Sequence, residues 1–372
     1  MERAVGIHDQ VVVHPLDERI PQPGEAINVA AGVWWIRMPL PFALDHINLW
    51  VLEDGDGWTL VDTGFGVQAT WDLWEKHFTG VMGGRPVKNI VVTHYHPDHV
   101  GSAAWLVAKT GAPMWMTSTE FLSAHAAHDD TAGFDRATGM DFFGRNGLDL
   151  ARIPEKMRTG NGYRRGVPDV PKTYRRMMHG DKLSIGAREW EVTTLFGHAP
   201  EQATLYCASL NVLISADQVL PRITSNVGVW GNQPEANPLE AFLESLSRLG
   251  HLPDDTLVLP SHERVFRGLH VRIAQLHEHH ERRLERLLEG CTQPITAFEA
   301  LPLLFKRALD DHQMMFAMGE AIAPALPGGS GKGRANRRCL GREAIPGCVM
   351  ALSGRPRSAP TTFGLSAGPR RQ

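Results

Sequence analysis

Three imidazoles and a carboxylate stand within six residues in the segment VVTHYHPDHVGS, residues 91–102. His94, His96, Asp98 and His99 follow the β-branched run NIVVT, and the pattern H-x-H-x-D-H leads at once into residues of helical character. Side chains on a strand repeat every second residue, so His94 and His96 point the same way at the strand's end. Asp98 and His99 then sit on the turn that opens the helix. Left unpaired in a partly buried cleft, such groups are expensive to gather; around a cation they become nitrogen and oxygen ligands. A solvated polar turn is the weaker alternative for so specific a spacing.

Four groups from one turn cannot complete two coordination spheres, and three further stretches supply more. LFGHAPEQATLYC puts His198 after an apolar strand and a glycine, NVLISADQVLP puts Asp217 at the end of another, and LVLPSHE puts His262 at the end of a third. Each is a ligand-type side chain just past a hydrophobic strand. Separate strands that deliver His or Asp at the same kind of position converge on one edge of their sheets.

The rest of the chain reads as mixed α and β. GVWWIRMPL, INLWVLEDGDGWTLVDTG and NIVVTH are rich in β-branched and aromatic residues and predict strands, with the Asp-Gly-Asp-Gly of residues 54–57 as a hairpin turn. VQATWDLWEKHF has helical spacing, PDHVGSAAWLVAKTG predicts a helix closed by Gly111, and PMWMT predicts a short strand. Residues 120–178 are polar, rich in Gly and Arg and broken by prolines, which predicts an insertion of short helices and loops, either a lid over the site or plain decoration. Residues 182–221 resume the strand pattern, with turns at Gly186 and Asn211, and predict a second sheet built from hairpins. Asn237 and Pro238 then start a helix, and DTLVLPSHE is one more strand.

HVRIAQLHEHHERRLERLLEG reads as a long amphipathic helix, and TAFEALPLLFKRALDDHQMMFAMGEAIA as a small helical appendage. The expected division is a catalytic domain over 1–270, a helical module over 271–323 and a tail over 324–372. That tail has no sustained period and is heavy in Gly, Pro, Ser and Arg, so it reads as disordered, or as sequence translated out of frame.

Composition narrows the partners. At 372 residues and 42% hydrophobic the chain can bury a large core, and its net charge of −3 gives no general reason to expect nucleic acid. Cys207, Cys291, Cys339 and Cys348 show no C-x-x-C spacing and read as reduced thiols. The N-terminus lacks the apolar core of a signal peptide, and no run of about 20 apolar residues occurs. The expectation is a cytoplasmic enzyme of a small-molecule substrate, without a membrane partner, and capable of forming a homodimer.

THYHPDH, GHAPEQ, SADQVLP and PSHE in this order, with LVDTGFG at residues 60–66, resemble the metallo-β-lactamase superfamily. The resemblance implies an α/β (α+β) fold, a four-layer αββα sandwich with a helical insertion and a small helical C-terminal appendage. It implies His94, His96 and His198 around one metal, Asp98, His99 and His262 around a second, and Asp217 bridging the pair. Asp62 resembles the outer carboxylate that braces a ligand histidine. Two divalent ions are the implied cofactors, zinc first, with iron and manganese also suited to imidazole and carboxylate.

Two cations about 3.5–4 Å apart share a water and hold it as hydroxide, and Asp98 is the implied catalytic residue that orients this nucleophile and handles its proton. A bridging Asp217 resembles the glyoxalase II, lactonase and esterase branches, so the expected reaction is hydrolysis of an ester, thioester or lactone. β-Lactamase and phosphodiesterase or endoribonuclease activity are alternatives on the same site. An iron-dependent oxidoreductase similar to persulfide dioxygenases is the alternative of another class, and an inactive binding module is disfavoured by the intact ligand set.

Other side chains carry plainer readings. His125, His128, His179 and His251 are expected to be surface or locally bonded, and HEHHERR at 277–283 to be a solvated helix face. Trp34, Trp35, Trp71 and Trp74 are expected to pack in the core. Tyr163, Arg164 and Arg165 either reach a substrate carboxylate or face water, and Asn48 and Trp230 are candidates to line the cleft. Met314, Met315 and Phe316 are expected to pack on the main domain or form a dimer contact.

Overall fold

A computed structural model describes residues 12–291 and 295–325. The tail expectation falls almost wholly outside the described residues, as do Cys339, Cys348 and the first eleven positions. Cys207 and Cys291 are buried.

Seven strands form the first sheet in chain order: β1 (Ile27–Ala30), β2 (Val33–Pro39), β3 (His46–Asp54), β4 (Gly57–Val61), β5 (Val87–Val91), β6 (Met114–Thr117) and β7 (Arg175–Met177). The first four run antiparallel, and β4 to β7 run parallel. The second sheet comprises β8 (Lys182–Ile185), β9 (Arg188–Leu195), β10 (Gln202–Cys207), β11 (Val212–Ala216) and β12 (Leu257–Pro260), in the order β12-β11-β10-β9-β8. Only its β11–β12 pair is parallel. The hairpin turns fall where the sequence puts them, with Gly55 and Asn211 at φ of 64° and 52°.

Ten α-helices complete the described chain: α1 (Gln68–Thr79), α2 (Pro97–Val100), α3 (Ala103–Thr110), α4 (Ser118–His128), α5 (Arg136–Arg145), α6 (Glu155–Arg158), α7 (Pro238–Leu246), α8 (Leu269–Gly290), α9 (Ala297–Leu304) and α10 (Asp311–Ile322). None of these helices is long and apolar enough to cross a membrane.

The period-2 alternation of the strands sorts the core into three layers. Val33, Trp35, Trp50 and Leu52 of the first sheet meet Trp190, Val192, Ile214, Leu257 and Leu259 of the second. Their neighbours in sequence, Ile36, Met38, Leu49 and Val51, point the other way onto Trp74 of α1, Leu106 of α3 and Phe121 of α4. Leu195, Leu213 and Val258 likewise turn outward onto Phe242 of α7, Leu276 of α8, Leu301 of α9 and Met318 of α10. Helix, sheet, sheet and helix therefore stack as four layers. Trp50 is fully buried between the sheets, and its truncation to Ala would cost about 3–5 kcal/mol.

The helices of residues 269–322 share one apolar cluster with α7 and the second sheet, and Phe143 of α5 joins it. Met315 packs in that cluster, while Phe316 meets Trp230 edge to face at 5.8 Å. Trp35 and Trp74 are buried, and Trp71 stacks on Trp105 at 5.8 Å. Within the solvated face expected at 277–283, His277, Glu281 and Arg282 are exposed, but His280 needs correction, because it falls on the one buried stripe of α8. His280 is buried with its ring 5.7 Å from that of Phe242, and Leu276 and Arg272, four and eight residues earlier, are buried on the same stripe.

Residues 120–178 fold into the short helices expected and, beyond that expectation, add the edge strand β7; one of their ties to the first sheet's loops is a close backbone contact. Gly66 N–H donates to Gly166 O at 2.7 Å. A Cβ on Gly101, at the α2–α3 junction, would lie 2.2 Å from that same carbonyl, and one on Gly66 would lie 2.4 Å from Gly101 O. Three backbones touch there, which only glycine permits.

Candidate metal centre

The parallel strand β5 ends at Val91, and the chain then turns through Thr93 to His96 before Pro97 starts α2. His94 and His96 leave this turn on one side, and Asp98 and His99 follow on the short helix. Across the sandwich, His198 follows β9, Asp217 follows β11 and His262 follows β12. All seven meet at one edge of the two sheets. The ligand-type atoms of His94, His96, His198 and Asp217 lie within 4.8 Å of one another, as do those of Asp98, His99 and His262.

Asp217 faces both groups. Its Oδ2 lies 3.3 Å from His198 Nε2 and 3.5 Å from His99 Nε2, and its Oδ1 lies 3.4 Å from His262 Nε2. Asp98 Oδ2 is 3.4 Å from His262 Nε2 and 3.6 Å from His99 Nε2.

The outer hydrogen bonds fix the ring tautomers, because a carbonyl can only accept. His198 Nδ1–H donates to Asn226 O and His262 Nδ1–H to His46 O, each at 2.9 Å. His99 Nδ1–H donates to Asp62 Oδ2 at 2.8 Å. His94 Nδ1–H donates to Thr93 Oγ1, whose hydroxyl donates in turn to Asp62. Asp62 also accepts the Thr93 backbone N–H at 2.8 Å, so one carboxylate orients two imidazoles and the turn between them. The Nε2 atoms of these four rings and Nδ1 of His96 are thereby aimed inward. His94 Nε2 stands 3.3 Å from His198 Nε2 and 3.0 Å from His96 Nδ1.

Such a convergence of lone pairs fits a cation. His99 Nε2 and Asp217 Oδ1 are buried without a hydrogen-bond partner. Burial and the neighbouring imidazoles hold His94 well below the ordinary histidine range, and burial with His198 brings His96 to about 3, so both are neutral donors. Burial opposes charge on His262, yet Asp217 and Asp98 lift it to about 10; Asp62, Asp98 and Asp217 likewise raise His99 against its burial. The carboxylates thus favour positive charge at this place, as a proton or as a metal that displaces it.

Supports that sequence reasoning missed lie behind these side chains. Glu120, at the start of α4, accepts the backbone N–H of Tyr95 at 2.9 Å and that of Glu201, tying the His94–His96 turn to the His198 loop. Asn48 is buried and does not line the cleft. Its Nδ2 donates to Pro260 O and Glu263 O, and Arg37 donates to Asn48 Oδ1 and to Glu263 O, so the first sheet braces the loop of His262. No local signal marks these roles, since the partners lie far apart in sequence. Three non-glycine residues beside the cluster, Asp62, Ala216 and Glu263, have φ of 62°, 47° and 68°. Each stores about 1–3 kcal/mol of strain, the kind that gathers at working sites.

A cavity of about 240 Å³ opens beside His96. The insertion supplies Phe134, Arg136 and Tyr163 to its wall, the loop after Asn226 supplies Trp230, and α10 supplies Phe316. Tyr163 also donates to Tyr95 O. Arg164 and Arg165 are exposed, and Arg164 bonds His128 O. His125 and His128 bond the carbonyls of Pro171 and Pro168, as locally satisfied histidines do.

Comparison with known proteins agrees with this geometry. A "Metallo-beta-lactamase-like, C-terminal domain" profile matches residues 284–324. The chain is similar to a crystal structure of a beta-lactamase domain protein from Burkholderia ambifaria, at 42% identity and TM-score 0.75, covering 85% of this chain and 92% of that one. A metallo-beta-lactamase family protein from Thermus thermophilus is similar at 29% identity and TM-score 0.67, covering 80% and 92%. The "probable metallo-hydrolase YqjP" of Bacillus subtilis (strain 168) is 23% identical over 294 residues, 77% of this chain and 88% of that protein. The "Metallo-beta-lactamase superfamily" profile itself matches residues 43–262, more than half the chain and every strand that ends at the cluster, so this chain belongs to the metallo-β-lactamase superfamily of metallo-hydrolases.

Proposed function

We propose that the chain is a binuclear metal-dependent hydrolase of an ester, thioester or lactone. The observation that carries this reading is Asp217, one buried carboxylate facing two groups of inward-aimed imidazoles. In this reading His94, His96 and His198 hold one divalent cation, Asp98, His99 and His262 hold the second, and Asp217 serves both. Zinc is the expected metal. When bound, the cations supply Lewis-acid polarisation of the scissile carbonyl and acidify a water.

The chain's own groups do the rest. Asp98, with 19% of its side chain exposed against 9% for Asp217, is the acid nearest solvent and takes the nucleophile's proton. Met140, Phe143, Trp230 and Phe316 offer the acyl group an apolar cavity beside His96. Arg136 in the same wall presents a guanidinium that suits a carboxylate-bearing acyl group. A protein named hydroxyacylglutathione hydrolase from Idiomarina loihiensis, 22% identical over 221 residues, 59% of this chain and 63% of that protein, supports thioester chemistry. Residues 1–270 act as the catalytic domain, 271–323 as a helical module that completes the pocket, and the enzyme works in the cytoplasm.

Elemental analysis of the purified protein, with a parallel screen of p-nitrophenyl esters, acyl-homoserine lactones, S-lactoylglutathione, nitrocefin and a phosphodiester, tests this. The expected result is turnover of an ester, thioester or lactone that chelation abolishes, that zinc or manganese restores, and that His96→Ala and Asp217→Ala lose. Iron with oxygen consumption on a persulfide, or cleavage of nitrocefin or the phosphodiester alone, overturns it.

A further inference from the structure

A second concavity, of about 620 Å³, lies between α8, the loop of residues 222–224 and the α9–α10 connection. None of the seven candidate metal ligands lines it. Five arginines do, Arg222, Arg272, Arg282, Arg283 and Arg307, against two glutamates, Glu278 and Glu320, in a chain of net charge −3. Arg222 pairs with Glu263 and Arg283 with Glu320, each at 2.9 Å. The other three make no carboxylate pair among the described residues.

Arg272 is the informative one. It is 6% exposed, and its Nε and Nη2 donate to the carbonyls of Leu220, Arg222 and Ile223. Among the described residues its Nη1 reaches only Gln275 Oε1 at 3.5 Å, and it makes no ion pair with a carboxylate at the groove floor. Its nearest counter-charge, Glu263, is already paired with Arg222, so the buried cation is only partly offset and an anion in the groove would return part of its desolvation cost. His279 on the same wall is held down to about 4 by burial and by Arg283, Arg272, Arg282 and Arg286, as expected where positive potential is concentrated. Phe305, with the Arg283 guanidinium 4.8 Å from its ring centre, adds an apolar face.

We propose that this groove binds a small organic phosphate of nucleotide size with two or more negative charges. Arg282 and Arg307 are exposed and present guanidinium forks that match phosphate oxygens in pairs, while Arg272 holds the charge from below. The volume suits a small-molecule site, and the two glutamates interrupt the continuous basic track that single-stranded nucleic acid needs. This site is independent of the hydrolase reading.

Calorimetric titration of the full chain with ADP, and with adenosine as the uncharged control, tests it. ADP is expected to bind once per chain with an affinity that falls as salt rises, and adenosine not to bind. Arg282→Ala with Arg307→Ala should lower ADP affinity about tenfold or more, with the melting temperature unchanged. Asp217→Ala should leave ADP affinity within about twofold, which separates this groove from phosphate capture at the metal ligands. The proposal is overturned if ADP does not bind, if Asp217→Ala abolishes binding while the double variant keeps it, or if a single-stranded RNA displaces ADP at tenfold lower concentration.

Discussion

The two halves of the sandwich deliver their ligand-type side chains in opposite ways. The seven-stranded half puts four on one turn, and two of its imidazoles are oriented from within that half: Thr93 and Asp62 hold His94 and His99, and the Thr63 hydroxyl holds the His99 carbonyl at 2.6 Å. The five-stranded half sends three from the ends of three strands, and its imidazoles are oriented by carbonyls 28 and 216 residues away. Support in the first half comes from its own sheet; in the second, His198 depends on the Asn226 loop and His262 on β3 of the other sheet. The Asn226 segment is held in turn by the C-terminal helices. Asn226 Nδ2 donates to Glu320 Oε1 at 2.8 Å, Glu320 pairs with Arg283, and Val229 N–H donates to Gly319 O.

The largest effect is expected where the halves meet. Asp217→Ala should reduce turnover to background and leave less than one bound ion per chain by elemental analysis; retention of two ions would mean that the halves bind metal separately. Asp62→Ala should come next. It strips the acceptor from Thr93 N–H, the Thr93 hydroxyl and His99 Nδ1–H, so chelator competition should show metal affinity lower by about 10–100-fold. Denaturant unfolding should show a loss of about 1–3 kcal/mol.

Glu320→Ala probes the remote half, two contacts away from His198, and should weaken metal binding by about tenfold at most. Glu320→Gln retains an acceptor for Asn226 and should recover most of that loss. An effect of Glu320→Ala equal to that of Asp62→Ala would erase the distinction between near and remote support.

The smallest effect near neutral pH concerns two of the outer helices, α1 and α8, which bury an imidazole each. Burial lowers His77 of α1 to about 4 and His280 of α8 to about 3. Both are neutral when folded and protonate readily when unfolded, so their contribution is complete above the ordinary histidine pKa of 6.5 and is lost as pH falls toward those lower values. About 1 kcal/mol per histidine should disappear roughly one pH unit below that ordinary value, and His77→Phe or His280→Phe should flatten the melting temperature over that range.

How much of this was legible in the sequence follows from the same contrast. The H-x-H-x-D-H turn, the strand alternation, the Asn237 cap and the Gly55 and Asn211 turns are local, and the fold places them as expected. His198, Asp217 and His262 were legible because each closes an apolar strand. Glu120, Asn48 and Arg37 were not, since a helix-start acid and two strand residues look ordinary until segments far apart in sequence meet them. The burial of His280 was carried by spacing, four residues after Leu276 on the apolar stripe of α8, but its polar neighbours in HEHHERR masked it.

The contact of Gly66, Gly101 and Gly166 has a consequence for altering selectivity. Phe134, Met140, Trp230 and Phe316 line the cavity with large apolar residues whose size can be changed one at a time. One added methyl at the glycine contact would shift the segment bearing His99 together with the wall that carries Tyr163. Pocket shape and ligand geometry can therefore be varied separately at the rim, and at the contact only as one unit.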